Sequence, residues 1–237
     1  MIGAVATGAI AAAAADFFIV EPPSEIWTSI RALSADYRTT KGEQRHVALA
    51  SGLSLTLDTE TSIKVSRKQN ESQIELMSGQ AVVRAEQAPL VLLAANGRIS
   101  AYQAEFDARC LDGVVAVSCL DGTIDVTFGN RTVPLSRDHK VVYSASKGLD
   151  IPQIADLTDV TAWQKGLLIV RDQSIFSVVK ELNRYHYGRI LVLNAGLGKR
   201  MITGTFHLDR PRDFIDQIRN LFGASASFLP GGIVLLS

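Results

Sequence analysis

Neither sign of charge is in excess in this chain: Lys and Arg number 24, and Asp and Glu number 24. Without a basic surplus, the electrostatic term that dominates nucleic-acid affinity is missing, which excludes nucleic acid as an expected partner. Cysteine is scarce. Cys110 and Cys119 are the only two, too few for a disulfide framework. Four histidines, His46, His139, His186 and His207, are scattered. None stands at i+4 from another or beside a Cys-x-x-Cys, so neither a zinc site nor any other cofactor is expected. What is there in quantity is apolar material: 47% of the 237 residues, enough to build one or two cores.

Charge is absent altogether from Ile2 to Ala15, which contain only Ala, Gly, Ile, Val and one Thr. Asp16 interrupts, and Phe17-Phe18-Ile19-Val20 resumes the run. As one helix, residues 2–20 rise roughly 28 Å, about the thickness of a hydrocarbon core. A mid-membrane carboxylate costs about 2.5–3.5 kcal/mol on insertion scales, but Asp16 lies near the end of the run, where water is within reach. The competing reading is a cleaved secretory signal with Ala13-Ala14-Ala15 as its small-residue site; the missing Lys or Arg ahead of the run argues against it. The expectation is a single membrane helix over 1–20 with the bulk of the chain outside the cytoplasm. Glu21-Pro22-Pro23 stops it, and a connector over 21–35 follows, with a short helix bearing Ile26, Trp27, Ile30 and Leu33.

From residue 36 to 150 the pattern has a period of two. Leu53/Leu55/Leu57, Ile63/Val65, Ile74/Leu76, Ala81/Val83, Phe106/Ala108, Val115/Val117 and Ile124/Val126/Phe128 alternate with polar residues. Turn signals separate them, among them Lys41-Gly42, Ser78-Gly79, Asn96-Gly97, Asp112-Gly113 and Asp121-Gly122. Such spacing predicts an all-β domain, a sandwich or an irregular solenoid. If Asp112-Gly113 is a two-residue hairpin turn, Cys110 faces Val115. Cys119 then lies roughly 13 Å farther along the partner strand, beyond the reach of a disulfide.

A linker over 151–165 leads to a smaller module at 166–237, where the period changes again. Leu167-Leu168-Ile169-Val170 reads as a strand and Asp172-Gln173-Ser174 as cap residues. Ile175, Val178, Val179 and Leu182 then recur at helical spacing up to Arg184-Tyr185. Ile190–Leu193 and Ile202–Phe206 read as strands. Asp209-Arg210-Pro211 opens a second helix carrying Phe214, Ile215, Ile218, Leu221 and Phe222, which Gly223 ends. A hairpin over 228–234 closes the chain. The overall class is α+β: an all-β domain followed by a small βαβ-repeat domain. Such a module has too little interior for a buried active site, which points to docking.

Catalytic readings find little support. Asp58 and Glu60, near a turn, suggest acid/base carboxylates, but isolated acids at a strand end are more simply solvated turn residues. Ser51-Gly52, Ser78-Gly79 and Ser146-Lys147 lack the strand–elbow–helix setting of an activated nucleophile. Gly196-Leu197-Gly198-Lys199-Arg200 lacks phosphate-loop spacing and reads as a loop of the βαβ domain. The expectation is a protein that is not an enzyme.

Five pieces of the chain also carry a resemblance to one family, and one of them, Phe106 with the hairpin Val115 to Val126, falls where that family places paired strands. Residues 37–49, Tyr-Arg-Thr-Thr-Lys-Gly-Glu-Gln-Arg-His-Val-Ala-Leu, resemble the opening of the periplasmic part of the FecR family, inner-membrane sensors that regulate extracytoplasmic-function sigma factors. Residues 74–81, Ile-Glu-Leu-Met-Ser-Gly-Gln-Ala, are similar to that family's strand before a Gly-Glu/Gln-Ala turn. Trp163-Gln164-Lys165-Gly166-Leu167-Leu168 resembles its Trp-x-x-Gly-x-Leu joining signature. The module that follows is similar to the short N-terminal domain of secretins and TonB receptors. The resemblance implies a relay. The signalling domain of an outer-membrane TonB-dependent receptor contacts the C-terminal part, and the event passes through the membrane helix to a cytoplasmic segment that controls the sigma factor. That segment precedes the helix in the family, whereas this chain starts at the helix. The expectation is either a start upstream of Met1 or a sensor without sigma-binding activity.

A second departure is Gln103-Ala104. Many relatives place Gly-Thr there within a Leu-Gly-Thr-x-Phe pattern, and in some that bond cleaves itself. Such cleavage needs a hydroxyl to attack the preceding carbonyl and a glycine to tolerate the strain. The chain is therefore expected to stay intact at this bond. Purified protein incubated without protease should show one band; discrete fragments split near residue 103 would refute it.

Candidate partner-contact residues are Trp163, Leu168, Val170, Tyr185, Tyr187 and Phe206. For Trp163 packing between domains is the first reading and partner contact the second, and for Phe206 core packing is the default; Tyr185 and Tyr187 are expected to be partly exposed at a helix end. Docking would use an exposed strand edge or the helix 174–185. Two other functions compete with the relay: an envelope assembly module without sigma-factor regulation, and a carbohydrate- or ligand-binding β domain.

Overall fold

The structure is a computed structural model and describes residues 35–49, 52–68 and 71–237. The expected membrane helix at 1–20 and most of the connector lie outside the described residues. Among those described, no helix is long and apolar enough to cross a membrane.

Period-two alternation yields fourteen strands of one continuous sheet. They begin with β1 (Tyr37–Arg38), β2 (Arg45–Leu49), β3 (Leu53–Leu57), β4 (Ser62–Lys68), β5 (Glu71–Ala85), β6 (Leu90–Ala94) and β7 (Gly97–Ala101). After these come β8 (Ala104–Leu111), β9 (Val114–Asp121), β10 (Thr123–Phe128), β11 (Arg131–Ser136), β12 (His139–Ser144), β13 (Gly148–Leu149) and β14 (Gln153–Ile154). Strand β5 is 15 residues long and serves two layers. Its first half, 71–78, pairs with β4 and, in parallel, with β6; its second half, 79–85, pairs with β3 and β8. One layer continues through β7, β10 and β11, the other through β9 and β12. Of the two expected architectures the sandwich is the nearer: two layers joined through β5 into a nearly closed, barrel-like sheet.

The hinge is Gly79. Its φ is +96°, and a Cβ there would overlap Thr61, whose hydroxyl accepts from the Gln80 amide (3.0 Å) and donates to the Gln80 carbonyl (3.1 Å). Inward residues of both layers, including Leu55, Leu57, Ile74, Leu92, Ile99, Phe106, Val117, Val126 and Val141, make one core. Tyr143 spans it. Its ring lies 5.0 Å from that of Phe128 and covers Gly97, and its hydroxyl donates to the Ala94 carbonyl at 3.0 Å.

The hairpin at Asp112-Gly113 has the expected register, with Leu111 opposite Val114 and Cys110 opposite Val115. Both thiols are free and buried, and burial pushes each up to about 11. A thiol reagent should find two groups in the unfolded protein and react far more slowly with the native one, because thiolate, the reactive form, is scarce at neutral pH. Fast native labelling would contradict this. Gln103 takes a φ of +50°, a left-handed turn conformation that is uncommon for a residue with a side chain.

The chain leaves β14 through helix α1 (Leu157–Thr161) and a 3-10 turn at Ala162–Lys165. The C-terminal module then runs β15 (Leu167–Ser174), α2 (Ile175–Tyr185), β16 (Arg189–Val192), α3 (Ala195–Gly198) and β17 (Met201–His207). It ends with α4 (Pro211–Phe222), β18 (Ala226–Leu229) and β19 (Ile233–Leu236). Ser174 caps α2 by accepting from the Ser177 amide, and Gly223 at φ +65° ends α4. The strands flanking α2 go to different sheets: β15 pairs with β17, while β16 pairs in parallel with β19, which also pairs with β18. Ile175, Val178, Val179 and Leu182 of α2 and Phe214, Ile215 and Ile218 of α4 fill a second core with Phe206 and Val234. Leu221, expected on the apolar face of α4, is exposed. Where a loop is expected at 196–200, one turn of helix forms instead. The Asn194 carboxamide caps it by accepting from the Gly196 and Leu197 amides, and Gly198 lets the Phe176 ring lie against it.

Candidate functional site

The module sits on the outer face of the layer built from β3, β5, β8, β9 and β12. Val82 and Leu120, pointing outward from that layer, belong to the module's core. Beside this apolar contact lies a buried polar network centred on two carboxylates, Asp58 and Asp107.

Asp58 ends β3 and is fully buried, which corrects its reading as a solvated turn residue; its neighbour Glu60 is exposed. The physical reason is the partner set. The Tyr185 hydroxyl donates to Asp58 Oδ2 at 2.5 Å, the Gln44 amide to Oδ1 at 3.1 Å, and the Arg184 guanidinium stands 3.5 Å away. Burial still raises the Asp58 carboxyl above its usual range, against these hydrogen bonds and Arg184. Tyr185 is itself pushed up, by burial and by the adjacent Asp58 charge. It is buried rather than partly exposed, because its ring closes the end of α2 against the β layer.

Asp107, on β8, accepts from Gln80 Nε2 on both oxygens (3.1 and 2.9 Å) and from the Trp163 indole at 3.2 Å. Burial outweighs these donors and pushes its carboxyl up to about 7. Glu181 of α2 is held between Arg109 of β8 and Arg184 (2.7 Å). Burial alone would raise it, but the two guanidinium groups prevail and hold it below the usual carboxylate range.

The last turn of α2 is satisfied from the β domain. Lys41 Nζ donates to the Asn183 carbonyl at 2.8 Å, and the Thr59 hydroxyl donates to the Arg184 carbonyl at 3.0 Å. Both carbonyls have no partner within the helix, and a cation at that end also complements the helix dipole. Gly42 passes close under the Tyr185 carbonyl: a Cβ on it would come within 3.0 Å. The Gln44 amide completes the ring by donating to the Trp163 carbonyl at 2.8 Å.

A cleft of ≈ 210 Å³ lies beside the network, between β8, β9 and β12 on one wall and Leu167, Leu168 and Ile169 on the other. Its acids are already engaged: Asp107 by Gln80 and Trp163, Glu181 by two arginines, and Asp159 by Arg171. Among the described residues no three of His, Cys, Asp and Glu are placed to hold a metal. The chemistry here is that of a clamp.

Of the candidate contact residues, Trp163 and Tyr185 are in this clamp, facing inward. Leu168 is half-buried on the cleft wall, Val170 and Phe206 lie in the module core, and Tyr187 alone is well exposed, at 80%. Sequence reasoning missed Asp107, Gln80, Gln44 and Lys41 as site residues, and it set Asp58 aside as a turn acid. The available signal was that three of the segments carrying the family resemblance supply Lys41 and Gln44, Gln80, and Trp163.

The clamp has a testable pH dependence. With its carboxyl near 7 in the folded state and about 3.9 when unfolded, Asp107 binds a proton more tightly when folded. Its contribution is therefore full below about pH 4 and is lost as pH rises through about 7. Asp58 acts in the same sense; Glu181 acts oppositely, its contribution being lost as pH falls through its lowered value. Urea midpoints should fall between pH 5 and pH 8, and Asp107→Asn should flatten that fall. An unchanged slope in the variant would remove Asp107 from the account.

Residues 35–125 match the model of a family described as FecR protein. The matched span runs from β1 into β10, so this chain carries a FecR domain. Two crystal structures of a candidate anti-sigma factor from Parabacteroides distasonis ATCC 8503 share the fold, each at 20% sequence identity. One covers 85% of this chain and 97% of its own length with a TM-score of 0.73; the other covers 84% and 96% with a TM-score of 0.71. No curated protein matches the sequence.

Proposed function

We propose that this FecR-domain chain is a membrane-anchored sensor acting in sigma-factor regulation, with its β domain and C-terminal module in the periplasm. One observation carries the reading. The segments 37–44, 79–80 and 163–166, far apart in sequence and each part of the family resemblance, meet in one buried network that fixes the module to the β domain. A module held this way transmits a push or a pull as a rigid attachment, which a relay requires and a loosely tethered binding domain does not provide. The neighbours in Parabacteroides distasonis, described as a candidate anti-sigma factor, support the same direction.

On this reading the module is a domain of the secretin and TonB short N-terminal type, and its partner is the signalling domain of an outer-membrane TonB-dependent receptor. The two docking faces that the sequence leaves open are not equivalent. Glu181, Arg184 and Tyr185 of α2 are spent on the β domain, so an external partner meets the module elsewhere. The chain's part is non-catalytic: it binds, and it passes strain to the membrane segment.

Two measurements separate this from an assembly role. Deleting the gene should change transcription of one extracytoplasmic-function sigma regulon, and the full chain should bind the signalling domain of a receptor encoded beside it. Unchanged transcription with loss of an envelope complex would favour the assembly module instead.

A further inference from the structure

The module's three-stranded sheet has two outer edges, and the structure treats them differently. On β16 the edge is closed from within. The Asn183 carboxamide accepts from the Ile190 amide at 2.8 Å and donates to the Ile190 carbonyl at 2.9 Å, standing where a neighbouring strand would stand. On β18 nothing comparable occurs. Ser225 and Ser237 exchange both backbone hydrogen bonds (2.8 and 3.0 Å), so the alternation of an antiparallel ladder turns Ser227 and Leu229 toward β19. Ala226 and Phe228 therefore direct their amides and carbonyls outward, and among the described residues no strand pairs with that edge.

The side chains beside it are those of a contact surface. Phe228 and Leu229 are exposed by 50% and 44%, large for apolar groups of a strand. The Arg212 guanidinium, on α4, lies 5.5 Å from the centre of the Phe228 ring. Among the described residues no carboxylate pairs with Arg212; Asp213, exposed, is the nearest acid to it in sequence. The wider charge agrees: residues 166–237 carry nine Lys and Arg against five Asp and Glu, whereas residues 1–165 carry 15 against 19.

We infer that the open edge of β18 is a docking site for an extended acidic segment of a partner protein. That segment adds a fourth strand to the sheet and sets a carboxylate against Arg212. Main-chain bonds to Ala226 and Phe228 would give affinity, and Arg212 would select an acidic strand over a basic one. The inference deepens the sensor reading by naming the face and the chemistry of its partner, and it rests on that reading only for the partner's identity.

The test uses the full chain and two probes: a synthetic peptide of alternating Val and Glu, with its Val and Lys counterpart as control, and the receptor signalling domain. The acidic peptide should bind, the basic one should not, and hydrogen exchange at the Ala226 and Phe228 amides should slow on binding. Arg212→Glu, an exposed position, should weaken binding by about tenfold while leaving the thermal midpoint in place. Phe228→Asp should do the same. If the acidic peptide binds and the signalling domain does not, the edge stands and the receptor reading falls. If the signalling domain binds with these amides unprotected and Arg212→Glu without effect, the receptor reading stands and the edge is overturned. Absence of binding by both probes overturns it as well.

Discussion

Arg184→Ala should release the C-terminal module from the β domain, at a cost of about 3–5 kcal/mol. Only 10% of the Arg184 side chain is exposed, and it serves three acceptors: Glu181 at 2.7 Å, Asp58 at 3.5 Å and the Thr59 carbonyl at 3.2 Å. Truncation leaves Asp58 fully buried without its cation and Glu181 with Arg109 alone. The penalty is that of buried charge with too little to balance it, and it exceeds the net worth of the pair when intact. Urea unfolding should separate into two transitions, with the module and the joining segment 150–166 opening first, and trypsin should cut within that segment. The double variant Glu181→Gln with Arg184→Met should regain part of the loss, because removing both charges removes the desolvation cost too. One cooperative transition at the wild-type midpoint for Arg184→Ala would mean that the network contributes nothing to docking.

The second large effect belongs to Gly79→Ala, expected to cost about 3 kcal/mol from overpacking and backbone strain together. The methyl group would overlap Thr61, including its Cα, in a segment that cannot retreat, since the Thr61 hydroxyl is tied to both backbone groups of Gln80. The φ of +96° adds its own penalty for any L side chain. Because Gln80 follows directly and holds Asp107, the damage should travel from the hinge of β5 to the clamp. Gly113→Ala is the control: its φ is +73°, but nothing lies within 4 Å of a Cβ there, so only backbone strain of about 1 kcal/mol applies. Thermal midpoints of the two variants decide the matter. Equal shifts would show that the Thr61 contact yields easily and that Gly79 is needed for its φ alone.

Much of the fold is legible in the residues because it is decided locally. Alternation and turn signals place the strands from β3 to β10, since a half-buried strand needs one apolar face whatever it packs against. The spacing of Ile175, Val178, Val179 and Leu182, with Ser174 ahead of it, places α2 for the same kind of reason. So does Asp112-Gly113 for the hairpin that keeps the two thiols apart. At the buried clamp, where expectation and structure differ, a contact distant in sequence intervenes. Asp58 looks like a turn acid because its neighbours are turn residues; what buries it is Tyr185, 127 positions later. Tyr185 looks half-exposed at a helix end because the groups that close that end, Lys41 and Thr59, lie in another domain.

The sequence by itself determined the periods: strand alternation in the first part of the chain and helical spacing from Ile175 onward. Two of the resembling segments, 37–49 and 74–81, fall within the span that matches the FecR family model. Only the tertiary structure decided that those segments meet, that one helix face is spent inside the molecule, and that one sheet edge is plugged by Asn183 while the other is open. The physical reason is range. A period or a cap is satisfied within a few residues, whereas a buried carboxylate needs donors brought from anywhere in the chain, and nothing near it in sequence announces them.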